Sequence, residues 1–327
     1  MIKNDILLIT GGTGSFGKAF IKYVLKKHSP NKVIILSRDE MKQWDMAKDY
    51  SEDPRVRFLI GDVRDRARLN RAFKDVDYII HAAATKIVPK AESDPIECIK
   101  TNINGAINVV DCAVDCGVKK VIALSTDKAS SPCNLYGGTK LVSDKLFIGS
   151  NAYTSYSTTK FSVVRYGNVM GSRGSVLPLF LEQKKHGEVT ITDERMTRFM
   201  ITLEQGVELV LTALADASFG NIYVKKIPSM NIVDIAETVA PLASKKMIGI
   251  RAGEKLHEQM IGPEDANFTY DCGEHYVIVP SNFDWYDKAL YAPGIKKVPE
   301  LFTYSSDNNA EWMSRSTLQN FLETTYG

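Results

Sequence analysis

The sequence predicts an α/β protein built on a doubly wound parallel sheet with a smaller C-terminal lobe, and three observations carry that expectation. Short β-branched runs alternate with helical patterns through the first 125 residues. The runs are continuously apolar, as strands buried on both faces must be. A glycine-rich turn joins the first run to the first helical pattern, where a parallel sheet places its ligand loop. The expected strands are Ile6 to Ile9, Lys32 to Leu36, Val56 to Ile60, Tyr78 to Ile80 and Val121 to Leu124, with a sixth at Phe161 to Tyr166. Joining them through helices in right-handed crossovers gives one sheet covered on both faces.

After about residue 170 the rhythm loosens into isolated helices, Leu203 to Ala215 and Ile232 to Leu242, between short strands and Pro- or Gly-marked turns. The stretch from Asn282 to Asn309 is rich in Pro, Asn, Asp and aromatic residues, has little periodicity, and is expected to wrap the surface. No internal repeat or low-complexity tract interrupts the chain.

Composition narrows the partners. The 327 residues are 44% hydrophobic and 24% charged with 12 prolines, which excludes a disordered or collagenous chain. Lys and Arg total 41 against 39 Asp and Glu, a formal +2, so no global field favours nucleic acid or a polybasic membrane anchor. Five scattered cysteines suit free thiols in a reducing compartment. Cys112 and Cys116 stand four apart, but no second Cys or His pair completes a metal site, and none is expected. The chain runs from Met1 straight into a strand and has no apolar run of about 18 residues, so a cytoplasmic protein is expected.

Thr10-Gly11-Gly12-Thr13-Gly14-Ser15-Phe16-Gly17 follows the first strand, with a helical pattern from Lys18. Glycines at 11, 14 and 17 permit a tight turn, close approach of backbone N–H groups to a pyrophosphate, and close packing of helix on sheet. This is the dinucleotide-binding arrangement of a Rossmann-type fold, and Gly11, Thr13, Gly14, Ser15, Phe16 and Gly17 are its candidate phosphate contacts. Residues 1–170 are therefore expected to form the dinucleotide domain, with some later segments returning to it, and 171–327 mainly a substrate lobe with the surface-wrapping tail.

Ser37-Arg38-Asp39-Glu40 ends the second strand, where the ribose is read. Arg38 offers a planar fork to a 2′-phosphate and Lys42 a second cation, which favours NADP. The alternative is that Asp39 caps the next helix or binds a ribose hydroxyl of NAD while Arg38 is solvated. Asp62 and Val63 end the third strand, where an adenine edge lies. His81-Ala82-Ala83-Ala84 ends the fourth, with small residues that admit a nicotinamide ribose. His81 itself is read as a packed or hydrogen-bonded histidine.

Strand five ends in Ser125-Thr126-Asp127-Lys128, and Tyr136 and Lys140 follow, four apart on one helix face. An ammonium at Lys140 can lower the pKa of the Tyr136 phenol and hold a ribose, so that Tyr136 takes a proton from an alcohol as hydride leaves. That pair after strand five of a glycine-loop fold marks a short-chain dehydrogenase/reductase.

A narrower resemblance rests on the residues already quoted together with Ala-Ala-Ala-Thr-Lys (82–86), Asn-Leu-Tyr-Gly-Gly-Thr-Lys (134–140), Arg-Tyr-Gly-Asn-Val-Met-Gly-Ser-Arg-Gly-Ser-Val (165–176), Ile-Thr-Asp-Glu-Arg-Met-Thr-Arg-Phe (191–199), Arg-Ala-Gly-Glu-Lys-Leu-His-Glu (251–258) and Tyr-Ser-Ser-Asp-Asn-Asn (304–309). The chain resembles, almost end to end, the inverting UDP-N-acetylglucosamine 4,6-dehydratases that open pseudaminic acid biosynthesis. The resemblance implies oxidation at C4, loss of the C5 proton and C6 hydroxyl as water, and return of the hydride to C6. It implies Tyr136 as the C4 base, Lys128 as the C5 base and Asp127 as the acid at O6, with Thr126 in the same catalytic set.

Lys128 must then be neutral, which burial and the nearby charges of Lys140 and oxidised nicotinamide are expected to favour. Retaining relatives read Thr-Asp-Glu here, so the lysine carries the expectation of C5 inversion. Lys86, Asn168, Arg173, Thr192, Arg251 and Glu254 are the implied UDP-sugar contacts, Lys86 also reaching the cofactor. His257 and Glu258 are read as structural, and Asn102 and Asn104 as backbone or ribose partners. Gly137-Gly138 in the Tyr136 helix suggests close backbone approach. A homo-oligomer, such as a hexamer, is implied by the resemblance alone. The alternatives are a C4 or C5 epimerase of the same nucleotide sugar, or a catalytically silent NADP sensor.

Overall fold

The structure, a computed structural model, describes residues 2–152, 159–172, 174–280 and 295–326. Its first six strands are β1 (Ile6–Thr10), β2 (Lys32–Ser37), β3 (Val56–Ile60), β4 (Tyr78–His81), β5 (Lys120–Leu124) and β6 (Lys160–Arg165). They run parallel in the order β3-β2-β1-β4-β5-β6. Leu7, Leu8, Ile9, Val33, Ile35, Ile79, Ile80, Val121 and Ile122 are fully buried, which explains why these runs do not alternate. The strand order reverses between β1 and β4. Loops leaving their carboxyl ends diverge there and open a crevice.

The sheet extends beyond the sixth strand. Ile222–Lys225 pairs in parallel with β6, and His275–Ile278, Thr269–Asp271 and Lys296–Lys297 follow in antiparallel pairing. The helix Leu203–Ala215, as long as expected, packs against Ser15–Lys27 on the sheet's flank. Its capping box, Thr202 with Gln205, satisfies both orphan amides at its start. Strands from the second half of the chain thus extend the same sheet.

A second apolar cluster, including Met170, Leu177, Phe180, Val189, Ile191, Met196, Ile235, Val239 and Leu318, lies over the sheet's ligand end. The helix Ile232–Val239 stops short of Leu242, because Ala240 leaves the helical region and Pro241 cannot donate. Part of the expected surface-wrapping tail, 282–294, lies outside the described residues. The rest is stitched inward: Tyr304 is buried, its hydroxyl accepts from the Ile227 amide at 2.9 Å, and Tyr304–Ser305 pairs with Gln259–Ile261. Among the described residues no helix is long and apolar enough to cross a membrane.

Candidate active site

The first helix begins at Ser15, three residues before the expected Lys18, so Gly17 lies inside its first turn. A Cβ at Gly17 would stand 2.3 Å from the Gly12 carbonyl oxygen. Gly11 has φ +66°, and a Cβ there would meet the Ala83 backbone at 2.9 Å. Only glycine permits this loop to fold back on itself and against the end of β4. The loop and the helix start line a cleft of about 980 Å³.

Gly11, Thr13, Gly14, Ser15, Phe16, Gly17, Ser37, Arg38, Asp39, Lys42, Asp62, Val63, Ala82, Lys86, Tyr136 and Lys140 all line this cleft. Glu40 does not. It opens the helix Glu40–Ala47 on an exposed face. Thr13 and Ser37 share a hydroxyl hydrogen bond of 2.8 Å across the loop. Asp39 caps the Glu40–Ala47 helix by accepting from the Lys42 amide at 2.9 Å, and it also holds the Lys42 ammonium. Lys42 is therefore already paired, not free as a second cation. Arg38 is 64% exposed and only loosely paired with Asp62, at 3.8 Å.

His81 is buried, 2.9 Å from the Thr10 hydroxyl and against the Phe147 ring. Burial, then the Lys140 charge, push its pKa down to about 3, so it is a neutral packed residue as read. A π-helical turn, Lys100–Asn104, turns Asn102 inward. Asn102 accepts from the Thr85 amide at 2.8 Å and donates to the Thr85 carbonyl and the Thr139 hydroxyl, each at 2.9 Å. It is the expected backbone partner, joining the loop after β4 to the Tyr136 helix. Asn104 is exposed.

The loop after β5 makes a single 3-10 turn, Asp127–Ala129, capped by Thr126. The helix Leu135–Gly149 starts on Asn134, which accepts from Gly137 at 2.7 Å. The two segments touch at Gly137, where a Cβ would be 2.2 Å from the Lys128 carbonyl oxygen. Close approach is thus real at Gly137. At Gly138 nothing lies within 4 Å, contrary to the expectation for the pair.

Asp127 is buried beneath the cleft wall. Its Oδ1 accepts from Thr126 at 2.8 Å and from Lys128 at 3.1 Å, while Oδ2 has no hydrogen-bond partner among the described residues. Burial raises its pKa, helped by the Glu258 carboxylate and opposed by Lys128 and the Thr126 hydroxyl.

Two electrostatic expectations are corrected. Lys128 was expected to be neutral. Burial does work against its charge, but Asp127 and Glu258, the latter 2.9 Å from its Nζ, outweigh burial and leave its pKa above the ordinary lysine value. Tyr136 was expected to be made more acidic by Lys140. Burial instead pushes its phenol up to about 12, opposed by the Lys128 charge and the Thr126 hydroxyl. Lys140 donates to the Leu124 carbonyl at 2.7 Å, and burial lowers its own pKa against the pull of Asp144.

The segment 251–258 closes the other wall. Asn134 donates to the Gly253 carbonyl at 2.8 Å and Lys255 to the Ser130 carbonyl at 2.7 Å, which ties it to the segment between β5 and the Tyr136 helix. Asn168, Thr192, Arg251 and Glu254 line the cleft, with Arg251 and Glu254 paired to each other. Arg173 lies outside the described residues. His257 holds the Thr197 hydroxyl at 2.8 Å, in keeping with a structural reading. Glu258 was read the same way and is corrected: it lines the cleft and pairs with Lys128. Arg198 was not singled out either. It lines the cleft and donates to the Leu256 and Lys255 carbonyls at 2.9 and 3.2 Å. Among the described residues no group of three His, Cys, Asp or Glu could hold a metal, and all five cysteines are free.

The glycine loop, the Tyr136–Lys140 helix and the Asp127–Lys128 turn on this sheet place the chain in the short-chain dehydrogenase/reductase class. It belongs to the polysaccharide biosynthesis protein family, whose model matches residues 7–280. A curated Campylobacter jejuni protein named UDP-N-acetylglucosamine 4,6-dehydratase (inverting) is 52% identical over the whole of both chains. The X-ray structure of Pen from Bacillus thuringiensis superposes with a TM-score of 0.90 at 34% identity, covering 99% of this chain and 98% of that one. DesIV, a dTDP-glucose 4,6-dehydratase from Streptomyces venezuelae with NAD and TYD bound, gives 0.68 at 25% identity, over 77% and 86% of the two chains.

Proposed function

We propose that the protein is an NADP-dependent UDP-N-acetylglucosamine 4,6-dehydratase that inverts C5, giving the L-configured 6-deoxy-4-keto sugar from which pseudaminic acid is built. The observation that carries this reading is that Lys128 and Tyr136 line the same cleft as the glycine loop at the end of β5, with Asp127 paired to Lys128 just beneath the cleft wall. The 52% identity to the inverting dehydratase of Campylobacter jejuni supports it along the whole chain.

The loop fits a nicotinamide dinucleotide: two of its glycines have no room for a Cβ, and a helix start opens onto the cleft. Bound there, the nicotinamide supplies a reversible two-electron store. Gly11 to Gly17 would hold the pyrophosphate and Lys140 the nicotinamide ribose. NADP is favoured because Asp39 is engaged as a helix cap and by Lys42, while the exposed Arg38 fork is nearly unpaired. Extraction of the nucleotide from denatured protein is expected to give NADP, and recovery of NAD instead would overturn that part.

Tyr136 is assigned to take the proton of the C4 hydroxyl, for which its phenol must first lose the proton that burial holds on it. Asp127, whose pKa burial raises against the pull of Lys128, is placed to serve as the acid for the departing C6 hydroxyl once it holds a proton. Lys128 is the only cleft-lining member of the Asp127–Lys128 pair and faces C5. A lysine where retaining relatives place a carboxylate is the difference on which the inverting assignment rests, and inversion requires the returning proton to reach C5 on the face opposite the one it left. Residues 171–327 supply the UDP contacts, with Arg251 suited to the pyrophosphate. Exposed Ile96, Ile99, Ile107 and Val142, on the neighbouring helices Pro95–Ile99, Gly105–Asp115 and Leu135–Gly149, support self-association.

The test is product identity. Incubation with UDP-N-acetylglucosamine is expected to give the 6-deoxy-4-keto product by NMR. An intact hexosamine epimerised at C4 or C5 would make the protein an epimerase, and unchanged substrate would leave a silent binder.

A further inference from the structure

Lys128 and Glu258 stand at different depths. The lysine side chain is 24% exposed to the cleft, whereas Glu258 is 4% exposed behind it. Glu258 Oε1 lies 2.9 Å from Lys128 Nζ, and Oε2 is buried with no hydrogen-bond partner among the described residues. The backbone of Glu258 is fixed on both sides by Ser306, whose hydroxyl accepts from its amide at 2.9 Å and whose amide donates to its carbonyl at 2.8 Å. Arg198 grips the Leu256 and Lys255 carbonyls and passes 3.8 Å from Oε1. A carboxylate this buried, held against the lysine Nζ, is placed to act on a ligand through Lys128.

We propose that Glu258 is a positioning residue that takes the proton of Lys128 when substrate is seated, and so converts an ammonium into the base that works at C5. The inference rests on the dehydratase reading above. In the step, an Nζ–H bond of Lys128 breaks, the nitrogen keeps the electron pair, and an O–H bond forms on Glu258 Oε1. The free amine then takes the C5 proton. The C5–H electron pair becomes the C5–C6 double bond as the C6 hydroxyl leaves, with the proton of Asp127, as water. Seating a sugar nucleotide expels water from the cleft, and a drier site favours the neutral amine and carboxylic acid over the ion pair. The other charged or titratable groups facing this pair are Asp127, Tyr136, Arg198 and Lys255. In the resting protein Asp127 and Glu258 keep Lys128 charged against burial and Arg198, so without an inner acceptor its proton would have to leave through solvent.

Glu258→Gln keeps the shape and an acceptor for Lys128 but cannot take its proton. In deuterated buffer near neutral pH, this variant is expected to exchange the C5 hydrogen about 100-fold more slowly than the native protein. Its KM for UDP-N-acetylglucosamine is expected to stay within about threefold of native. Its exchange should climb about tenfold per pH unit as Lys128 loses its proton to solvent, while native exchange stays flat over the same range. Absorbance of reduced nicotinamide on adding substrate should persist, which shows the fold and the C4 step intact. Glu258→Asp, which keeps a proton acceptor, should retain more exchange than Glu258→Gln and the flat profile. Native-rate or faster exchange in Glu258→Gln would overturn the proposal, as would a loss that alkaline pH does not recover, or equal loss in both variants. Absence of C5 exchange in the native protein would instead sink the dehydratase reading itself, and this inference with it.

Discussion

At Lys128 burial opposes the charge and two carboxylates sustain it, with the carboxylates prevailing. The same residue is expected to be indispensable at C5. Lys128→Ala should keep its bound nucleotide and lose 6-deoxy-4-keto product by at least about 100-fold, read by NMR; near-native turnover would remove it from the mechanism. Tyr136→Phe should suppress the appearance of reduced nicotinamide on adding substrate, because no group remains to take the C4 hydroxyl proton.

The ion pair also has a pH signature in stability. Lys128 is raised above 10.5, so its contribution is complete below that pH and is lost as pH rises through the folded value. Glu258 is lowered from 4.5, so its contribution is complete above that pH and is lost as pH falls. Melting temperatures of native protein and Lys128→Met should therefore differ most between about pH 5 and 10 and converge outside it. Asp127, Lys128 and Tyr136 were legible in the sequence because they sit in two short motifs that follow one strand. Glu258 was not, since its pairing with Lys128 depends on a distant segment being carried back by Ser306 and Arg198, and a Leu-His-Glu triplet carries no periodic or spacing signal of that.

Among the elements, the contact between the turn after β5 and the Tyr136 helix fixes the site. Gly137 and Gly138 are alike in sequence and opposite in structure. Gly137→Ala should force the helix off the Lys128 carbonyl, costing about 1–3 kcal/mol by overpacking and reducing turnover. Gly138→Ala has open space on a helix and should stabilise by up to about 1 kcal/mol with activity kept. Chemical denaturation and turnover on the two variants separate these outcomes, and equal effects would contradict the assigned contact. Strand positions were readable from continuous apolar runs. Helix starts were less so: the expected start at Lys18 overlooked that glycines can occupy the first turn itself. The π-helical turn at Lys100–Asn104 left no periodic trace, and only the polarity of Asn102 hinted at it.

At the scale of the molecule, one sheet and one overlying apolar cluster leave a cleft at the strand-order reversal, and nearly every expected cofactor residue lines it. That much was legible because the glycine loop, the strand ends and the Tyr–Lys helix are all local features. The inward stitching of Tyr304 was not, because the segment's composition reads as surface chain. His81 joins the core as a neutral residue with its pKa pushed down to about 3 from 6.5, so its stabilising contribution is present above about pH 6.5 and is lost as pH falls toward 3. His81→Asn should flatten the dependence of melting temperature on pH in that window.

The chemistry turns on Lys128, half-buried between Asp127 and Glu258, working at C5 of a keto sugar. Deuterium at C5 of the product, measured for native protein and Lys128→Ala in the same deuterated buffer, tests it most directly. The account expects one deuterium per product with L configuration from the native protein and none from the variant. Equal incorporation by both, or a product carrying only the original C5 hydrogen, would contradict it.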